Sequence, residues 1–514
     1  MVARVKTVAF QGIDVLDIDV QVQISSGLPS FQIVGLPDKA VAESRERVRS
    51  AMHAIGLSLP PKRLTINLSP ADVLKEGSHF DLPIALGVLA AMDVFPADEL
   101  DHFIAMGELA LDGTLTPVSG ILPAAVHAAA LGRGIICPQN CGQEAAWAGE
   151  DMQVLAPHNL IALINHVKGT QVLSDPEPVL ANEDDAIYGL DMKDVRGQET
   201  AKRALEIAAA GGHNVLMSGP PGSGKSMLAA RMPGLLPDLT PEEALEVSMV
   251  HSVAGELKDG ALKRTRPFRD PHHSASQPSM VGGGHRARPG EISLAHHGVL
   301  FLDELPEFSR QTLEALRQPL ETGEVLVSRV NYHVTFPANF QLIAAMNPCR
   351  CGHLNDASMA CNRAPKCGQD YQNKLSGPLL DRIDLYVDVP AVDIRDLTKT
   401  SEAEPSKDIA KRVTAARTFF KDRLNRLSIE DPSLRCNADL NGEMLEQVAN
   451  MDDDSRKLLA DIAERLKLSA RGYYRILRVA RTLADLEQAD NVQSKHIAEA
   501  ANYRHQRPGQ SLAA

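Results

Sequence analysis

Residues 215–226, VLMSGPPGSGKS, restrict most strongly how this chain of 514 residues can fold. An apolar strand pattern leads into a glycine-rich turn, and the helix-patterned residues MLAARM follow. In that strand-to-helix context, backbone N–H groups and the amino end of the helix bind phosphate groups. The sequence therefore predicts a nucleotide-binding α/β fold. The predicted nucleotide ligands are Gly219, Pro220, Pro221, Gly222, Ser223, Gly224, Lys225 and Ser226.

A second motif, GVLFLDE, ends an apolar strand pattern in two carboxylates. We expect Asp303 to belong to the same nucleotide-binding site and to bind Mg²⁺ together with the hydroxyl of Ser226. Glu304 would polarise the water that attacks the terminal phosphate. The two motifs in this order predict an ATP hydrolase that uses ATP and Mg²⁺.

Three further polar residues are predicted to act on the phosphates. Asn347 follows the apolar strand pattern FQLIAAMNP, where its amide would orient the water or contact the γ-phosphate. Arg382 lies in LSGPLLDRIDL, and Arg471 lies in LSARGYYRILRVART at the start of a basic helix pattern. An arginine beside the phosphates stabilises the negative charge that develops during hydrolysis. The predicted catalytic residues are thus Glu304, Asn347, Arg382 and Arg471.

Changes in pattern along the chain predict its domain organisation. Strand and helix patterns alternate over residues 1–173, and the stretch SDPEPVLANEDD then indicates a linker at 174–190. A second α/β segment covers 191–390, and residues 391–514 are largely helix-patterned. The predicted fold class is therefore a multi-domain α/β protein with a helical C-terminal domain.

Charge and hydropathy limit the partners and the location of the chain. The balance of 53 basic and 66 acidic side chains gives a net charge of −13, which excludes a surface that coats nucleic acid or anionic membrane throughout. The acidic, alternating N-terminus is unlike an export signal. The apolar run LPIALGVLAAM is too short to span a bilayer. We expect a cytoplasmic protein with no membrane partner.

From VRGQETAKRALEIAAAGGHNVLMSGPPGSGKS onward, the sequence resembles AAA+ ATPases related to the magnesium-chelatase motor subunit and the MCM replicative helicases. The resemblance implies an AAA+ core that assembles into a ring. It also implies that Arg382 acts as a finger in the neighbouring subunit's site, whereas Arg471 senses phosphate in its own subunit. A finger supplied by a neighbour gives a physical reason for oligomerisation, because one site then lacks a needed cation.

The segments INLSPADVLKEGSHFDLPIALGVLAA and GELALDGTLTPVSGILPAAVHAAALGRGIICPQN are similar to the proteolytic domain of Lon ATP-dependent proteases. The positions that correspond to the Lon nucleophile and lysine hold His79 and Leu122, and Ser78 stands one place too early. Because no lysine in this motif is near enough to activate Ser78, we expect no protease activity.

The order of a Lon-protease-like (ChlI-type) domain, a chelatase-like AAA+ core and a helical lid domain resembles the YifB/ComM family over essentially the whole chain. This resemblance implies a homo-hexameric DNA helicase that promotes branch migration during homologous recombination in natural transformation. Single-stranded and branched DNA would be its substrates, with recombination proteins as further partners. The alternative is a chelatase-type motor that remodels a protein partner, since the same core would suffice.

Four of the seven cysteines crowd into NPCRCGHLNDASMACNRAPKC, residues 347–367. Four thiolates at this spacing can close one tetrahedral Zn²⁺ site. The predicted zinc ligands are Cys349, Cys351, Cys361 and Cys367. The alternative is a reduced loop without metal.

A locally basic insert, residues 262–288, lies between the two phosphate motifs of this acidic protein. Its tip VGGGHR and the hairpin pattern EVLVSRVNYHVTF stand where chelatase-like and MCM-like ATPases place loops that face the ring pore. Basic, glycine-rich loops can bind a phosphate backbone without reading its sequence. We therefore predict DNA contacts at Arg286, Arg288 and Arg329; a solvated loop is the alternative. The pairs His272–His273 and His296–His297 are expected to serve turns or packing.

Overall fold

The computed structural model describes residues 2–179, 189–257, 260–284, 287–352, 354, 361–391 and 403–504, apart from 330–331. The predicted linker therefore lies partly, and Arg286 wholly, outside the described residues. None of the helices in these ranges combines the length and the apolar character that a membrane crossing requires.

Residues 2–179 contain a seven-stranded sheet in the order β3-β4-β2-β1-β5-β8-β9. The long strands β1 and β2 are antiparallel; burial alternates in the middle of β2, whereas Thr7, Val8 and Ala9 of β1 are buried in succession. Helices cover both faces. The strands are β1 (Val2–Gln11), β2 (Asp14–Ser25), β3 (Ser30–Val34), β4 (Arg63–Ser69), β5 (Phe103–Ala105), β6 (Glu108–Leu109), β7 (Leu115–Thr116), β8 (Gly134–Ile136) and β9 (Val154–Leu155). The helices are α1 (Lys39–Ala54), α2 (Asp81–Ala91), α3 (Ile121–Ala130), α4 (Gly142–Ala145) and α5 (Leu160–Val167).

The next part of the chain forms a parallel sheet of five described strands in the order β11-β14-β17-β10-β18. Every residue of β17 is buried, as expected for a central parallel strand covered on both faces. The strands are β10 (Val215–Ser218), β11 (Phe268–Arg269), β12 (Gly282–Gly283), β13 (Arg288–Pro289), β14 (Val299–Leu302), β15 (Glu324–Arg329), β16 (Tyr332–Pro337), β17 (Gln341–Met346) and β18 (Leu385–Asp388). The helices are α6 (Glu199–Gly211), α7 (Lys225–Ala229), α8 (Pro241–Ala254), α9 (Gln277–Val281), α10 (Glu291–Leu294), α11 (Arg310–Ala315), α12 (Pro319–Thr322), α13 (Lys366–Gln372) and α14 (Gly377–Leu380).

The described part of the C-terminal region is helical. Its helices are α15 (Ser406–Arg426), α16 (Gly442–Ala449), α17 (Asp453–Arg465), α18 (Ala470–Leu486) and α19 (Ser494–Asn502). Apolar residues of α15, α18 and α19 share one core with α6 and one face of the parallel sheet. The C-terminal helices are therefore packed onto the sheet. The mixed α/β class with a parallel sheet is confirmed, and the domain boundaries stay a prediction.

The region of residues 2–179 contacts the second region at the β1–β2 turn and at α4, among other places. The side chain of Gln11, at the β1–β2 turn, donates to the carbonyl of His333 in the β15–β16 hairpin at 3.1 Å. Farther away, the hydroxyl of Ser252 in α8 donates to the buried carboxylate of Glu144 at 2.5 Å. Burial raises the pKa of Glu144.

Candidate functional site

The glycine-rich loop between β10 and α7 closes around the side chain of Lys225. Its ammonium donates to the carbonyls of Gly219 at 2.8 Å and Pro220 at 2.9 Å, and the residue is only 8% exposed. A Cβ at Gly219 would lie 2.0 Å from the carbonyl of Val389, and Gly224 has a φ of +90°, so both positions require glycine. Burial lowers the pKa of Lys225, while Asp303 and Glu304 oppose this shift. The loop has the predicted strand-to-helix setting.

Two polar groups from different elements meet beside this loop. The hydroxyl of Ser226 donates to Oδ2 of Asp303 at 2.7 Å. Asp303 follows β14, whose parallel neighbour β17 lies next to β10, so the carboxyl ends of these strands share one edge. A hydroxyl and a carboxylate are oxygen ligands of the kind that Mg²⁺ prefers. The predicted Mg²⁺ ligands therefore fit the ion.

Glu304 stands next to Asp303 with a backbone φ of +51°, a left-handed value that is strained for a residue with a side chain. The ring of His273 lies 3.4 Å from its carboxylate. This neighbour was not predicted as a site residue. His273 follows β11, and only the long-range pairing of β11 with β14 brings it here. The one available signal was the sequence RDPHHS in the basic insert.

Asn347 follows the last residue of β17 and faces the same loop. Its side-chain oxygen accepts a hydrogen bond from the ammonium of Lys225 at 3.3 Å. The structure therefore brings Asn347 together with Lys225, Ser226, Asp303 and Glu304 at the carboxyl edge of the sheet. This arrangement can bind a triphosphate and orient a water against it.

Arg382 and Arg471 lie elsewhere, in a cavity of about 640 Å³. Asn214, Gln341 and Asp384 also line it, and these residues stand at the amino ends of β10, β17 and β18. The cavity is therefore at the sheet edge opposite the phosphate loop. The arginines that line it are Arg266, Arg382, Arg417, Arg435, Arg471 and Arg478.

The docking of α18 explains why Arg471 is found there. Arg478 lies 3.9 Å from Asp384, and Arg475 lies 3.6 Å from Asp381, so both arginines hold the helix at the amino edge of the sheet. Arg471 thus shares a cavity with Arg382 and is not brought to the phosphate loop of its own chain. This placement differs from the expectation that Arg471 senses phosphate in its own subunit.

Arg382 is held within its own subunit by an acidic partner. Its guanidinium pairs with Glu321 of α12 and donates to the carbonyl of Pro378 at 2.8 Å. Glu321 was not predicted as a site residue, because sixty-one positions separate it from Arg382. Arg382 thus lies away from the phosphate loop of this chain.

The predicted cysteine ligands gather beside Asn347. The sulfur atoms of Cys349 and Cys351 are 3.0 Å apart, and these two and Cys367 offer sulfurs that all lie within 4.8 Å of one another. The adjacent thiol of Cys361 raises the pKa of Cys367 to about 12. Three sulfurs of the described residues therefore stand close enough to bind one cation, and Cys361 lies beside Cys367, so the chemistry of the cluster fits zinc.

The predicted DNA contacts are only partly described. Arg288 is exposed in β13, which pairs with the glycines of β12. Arg286 lies outside the described residues. The backbone of Arg329 ends β15 and pairs with Tyr332 of β16, so this residue stands next to the hairpin turn. The DNA contacts stay a prediction.

Glu246, His296 and His297 form a second cluster of metal-ligand type. The Nε2 atoms of the two rings lie 3.2 and 2.7 Å from the Glu246 carboxylate. Asn339 and Arg435 donate to the Nδ1 atoms of His296 and His297, respectively. The proton of each neutral ring is therefore on Nε2, where a metal would need a lone pair. Burial, which lowers the pKa of His297 to about 4, keeps that ring neutral. The hydrogen bonds support a packing role.

The Lon-type positions are enclosed. His79 is 7% exposed, and its Nε2 lies 3.0 Å from the carbonyl of Val8. The side chain of Leu122 is fully buried at the start of α3. Leu122 has no nucleophilic or basic group, and the Nε2 of His79 contacts a backbone carbonyl, so protease activity is still not expected.

Models of the magnesium chelatase subunit ChlI match three stretches of the chain. "Subunit ChlI of Mg-chelatase" matches residues 20–141, "Magnesium chelatase, subunit ChlI" matches 191–397, and the ChlI C-terminal model matches 403–504. The chain is 44% identical to the uncharacterized protein YifB of Escherichia coli, over 97% of this chain and 96% of that protein. It is 43% identical to the competence protein ComM of Haemophilus influenzae, over 96% of each chain. A magnesium-chelatase 38 kDa subunit of Rhodobacter capsulatus is 29% identical over 30% of this chain and 48% of that protein. The chain therefore belongs to the YifB/ComM family of magnesium-chelatase-like proteins.

Proposed function

We propose that this protein is a hexameric AAA+ ATPase that moves DNA strands and promotes branch migration during recombination in natural transformation. The observation that carries this proposal is the separation of two half-sites. Lys225, Ser226, Asp303, Glu304 and Asn347 meet at one edge of the parallel sheet, whereas Arg382 lies at the other. A complete hydrolytic site then needs two subunits, as in a ring in which each arginine reaches the next subunit's nucleotide.

Each residue has a role that its position supports. Lys225 neutralises the terminal phosphates, and Glu304 draws a proton from the attacking water while Asn347 orients that water. Ser226 and Asp303 would hold Mg²⁺, which neutralises phosphate oxygens when bound. We propose that Arg382 stabilises the developing charge in the neighbouring site. Because Arg471 lines the same cavity as Arg382, we propose that Arg471 also acts on the neighbouring subunit's site.

DNA as the substrate is supported by a relative and by charge. ComM of Haemophilus influenzae is named a competence protein, and the present chain aligns with nearly all of it. The exposed Arg288 and the backbone position of Arg329 beside a hairpin turn are consistent with loops that contact a phosphate backbone. Single-stranded and branched DNA are the proposed ligands, and recombination proteins the proposed further partners.

The cysteine cluster is proposed to hold a structural Zn²⁺. The four thiols Cys349, Cys351, Cys361 and Cys367 supply the sulfur ligands, and the ion, when bound, would join two chain segments. Proteins prepared without chelators should then contain close to one zinc per chain.

A second candidate function is a chelatase-type motor that remodels a protein partner. The matches to ChlI models over three stretches favour it, because magnesium chelatase subunits share these sequences. ATP hydrolysis measured with and without single-stranded and forked DNA separates the two. Stimulation by DNA supports the DNA motor. Hydrolysis that no DNA alters, together with no DNA binding in any nucleotide state, favours the protein-remodelling motor.

A further inference from the structure

The segment that carries the first two cysteines lies directly against the phosphate loop. The N–H of Gly219 donates to the carbonyl of Met346 at 3.2 Å, and Lys225 donates to Asn347 at 3.3 Å. Two residues after Asn347, Cys349 is fully buried. The loop therefore rests on the strand end from which the cysteine cluster begins.

A third contact joins the loop to the cluster itself. Gly352, next to Cys351, has a φ of +84°, and its N–H donates to the carbonyl of Cys349 at 3.0 Å. A Cβ built on Gly352 would lie 2.5 Å from Cδ of Pro221, a residue of the phosphate loop. The turn of residues 349–352 thus packs on Pro221 with no room for another atom at Gly352.

Helix α13 holds the other side of the cluster. It carries Cys367, and the side chain of Gln372 at its end donates to the carbonyl of Pro348 at 3.1 Å. Tyr371 of the same helix is 4% exposed, and its pKa is raised by burial first and then by the charge of Glu307. A metal ion bound by Cys349, Cys351, Cys361 and Cys367 would tie this helix to the turn against Pro221.

We propose that the cysteine cluster is a positioning element of the nucleotide site: a thiolate-bound zinc ion fixes the Gly352 turn against Pro221, so that zinc and nucleotide strengthen each other's binding. This inference rests on the proposed zinc and nucleotide sites and is independent of DNA. Reciprocity requires that each ligand changes the affinity of the other by the same factor. A metal that only stabilised the fold at a distance would show no such coupling.

The test measures zinc transfer from the full-length protein to a chromogenic chelator, with and without Mg²⁺ and a non-hydrolysable ATP analogue. We expect the analogue to tighten zinc binding about 5-fold or more, in the usual range of coupling between sites. Removal of zinc should weaken binding of a fluorescent ATP analogue by the same factor. Lys225→Ala is the control for direct chelation of zinc by the nucleotide. In this variant the analogue should no longer change zinc binding.

Two glycine variants test the contact. Gly352→Ala places a methyl group against Pro221, whereas Gly56→Ala has a similar φ of +80° and no atom within 4 Å of the new Cβ. Gly352→Ala should reduce the coupling factor toward one, and Gly56→Ala should leave it unchanged. Equal zinc transfer with and without the analogue in the parent protein overturns the proposal, as does the absence of zinc uptake. Failure of the fluorescent analogue to bind even the zinc-loaded parent would instead remove the proposed ATPase site.

Discussion

The hydroxyl of Ser226 donates a 2.7 Å hydrogen bond to the carboxylate of Asp303, although the two residues come from different elements of the sheet. Ser226 lies in the first turn of α7 and Asp303 directly after β14. This contact sets the phosphate loop beside the strand end that carries Glu304. Because the phosphate loop and Glu304 belong to different elements, one substitution can remove nucleotide binding and another can remove hydrolysis alone.

Lys225→Ala should abolish nucleotide binding, whereas Glu304→Gln should retain bound ATP and hydrolyse it about 10²-fold more slowly or worse. The first change removes the charge that neutralises phosphate, and the second removes only the base. Binding of a fluorescent ATP analogue and single-turnover hydrolysis measure the two effects. Hydrolysis by Glu304→Gln at the parental rate would show that another residue activates the water.

Arg382→Ala should reduce hydrolysis by about 10³-fold or more, the usual contribution of an arginine finger. Mixing this variant with Lys225→Ala should restore part of the activity, because a mixed ring contains interfaces with an intact loop and an intact arginine. Each variant alone is the control. A mixture that co-assembles and stays as inactive as its components would contradict action across the interface.

Stability should fall below neutral pH partly through His251 of α8. This residue is 1% exposed, its Nε2 donates to the carbonyl of Leu294 at 3.1 Å, and burial lowers its pKa to about 3. The unfolded chain, with a histidine pKa of about 6.5, takes up a proton first as the pH falls, so unfolding becomes easier below 6.5.

Between pH 7 and 5.5, this single group should cost about 1 kcal/mol of unfolding free energy. His251→Gln retains a donor for Leu294 and does not titrate, so its stability should fall less over this range. Denaturant unfolding of both proteins at the two pH values gives the difference. An equal fall in parent and variant would mean that His251 is not the group responsible.

Replacing Arg286, Arg288 and Arg329 by Ala should weaken DNA binding while basal hydrolysis without DNA stays close to parental. These residues belong to loops inserted between the nucleotide motifs and are predicted to contact phosphate backbone. The decline of DNA affinity with salt should flatten, and sequence preference should not change. Titrations at several salt concentrations measure both. Unaltered affinity and salt slope would exclude these loops as the DNA contact and turn attention to the exposed Lys467, since Arg475 and Arg478 lie against aspartates and Arg481 is buried.

Local sequence was sufficient to predict one half of the site. The glycine-rich loop and the polar residues after β14 and β17 converge because parallel strands end at the same edge. The location of Arg471 was not predictable in this way, since it depends on the contacts of Arg478 with Asp384 and of Arg475 with Asp381.

Neighbours that belong to distant segments were missed for the same reason. His273 reaches Glu304 through the pairing of β11 with β14, and Glu321 reaches Arg382 through the packing of α12. Neither residue belongs to a motif with a recognisable spacing. Residue type and order indicate the chemistry, but contacts between elements determine which side of the sheet each group occupies.

The most direct test of the proposed function is displacement of a labelled strand from forked and four-way DNA by the purified protein. We predict displacement that requires hydrolysable ATP and Mg²⁺, that is absent in Lys225→Ala and Glu304→Gln, and that returns in part when Arg382→Ala and Lys225→Ala subunits are mixed. Parental protein that hydrolyses ATP but moves no strand of either substrate would contradict the DNA motor.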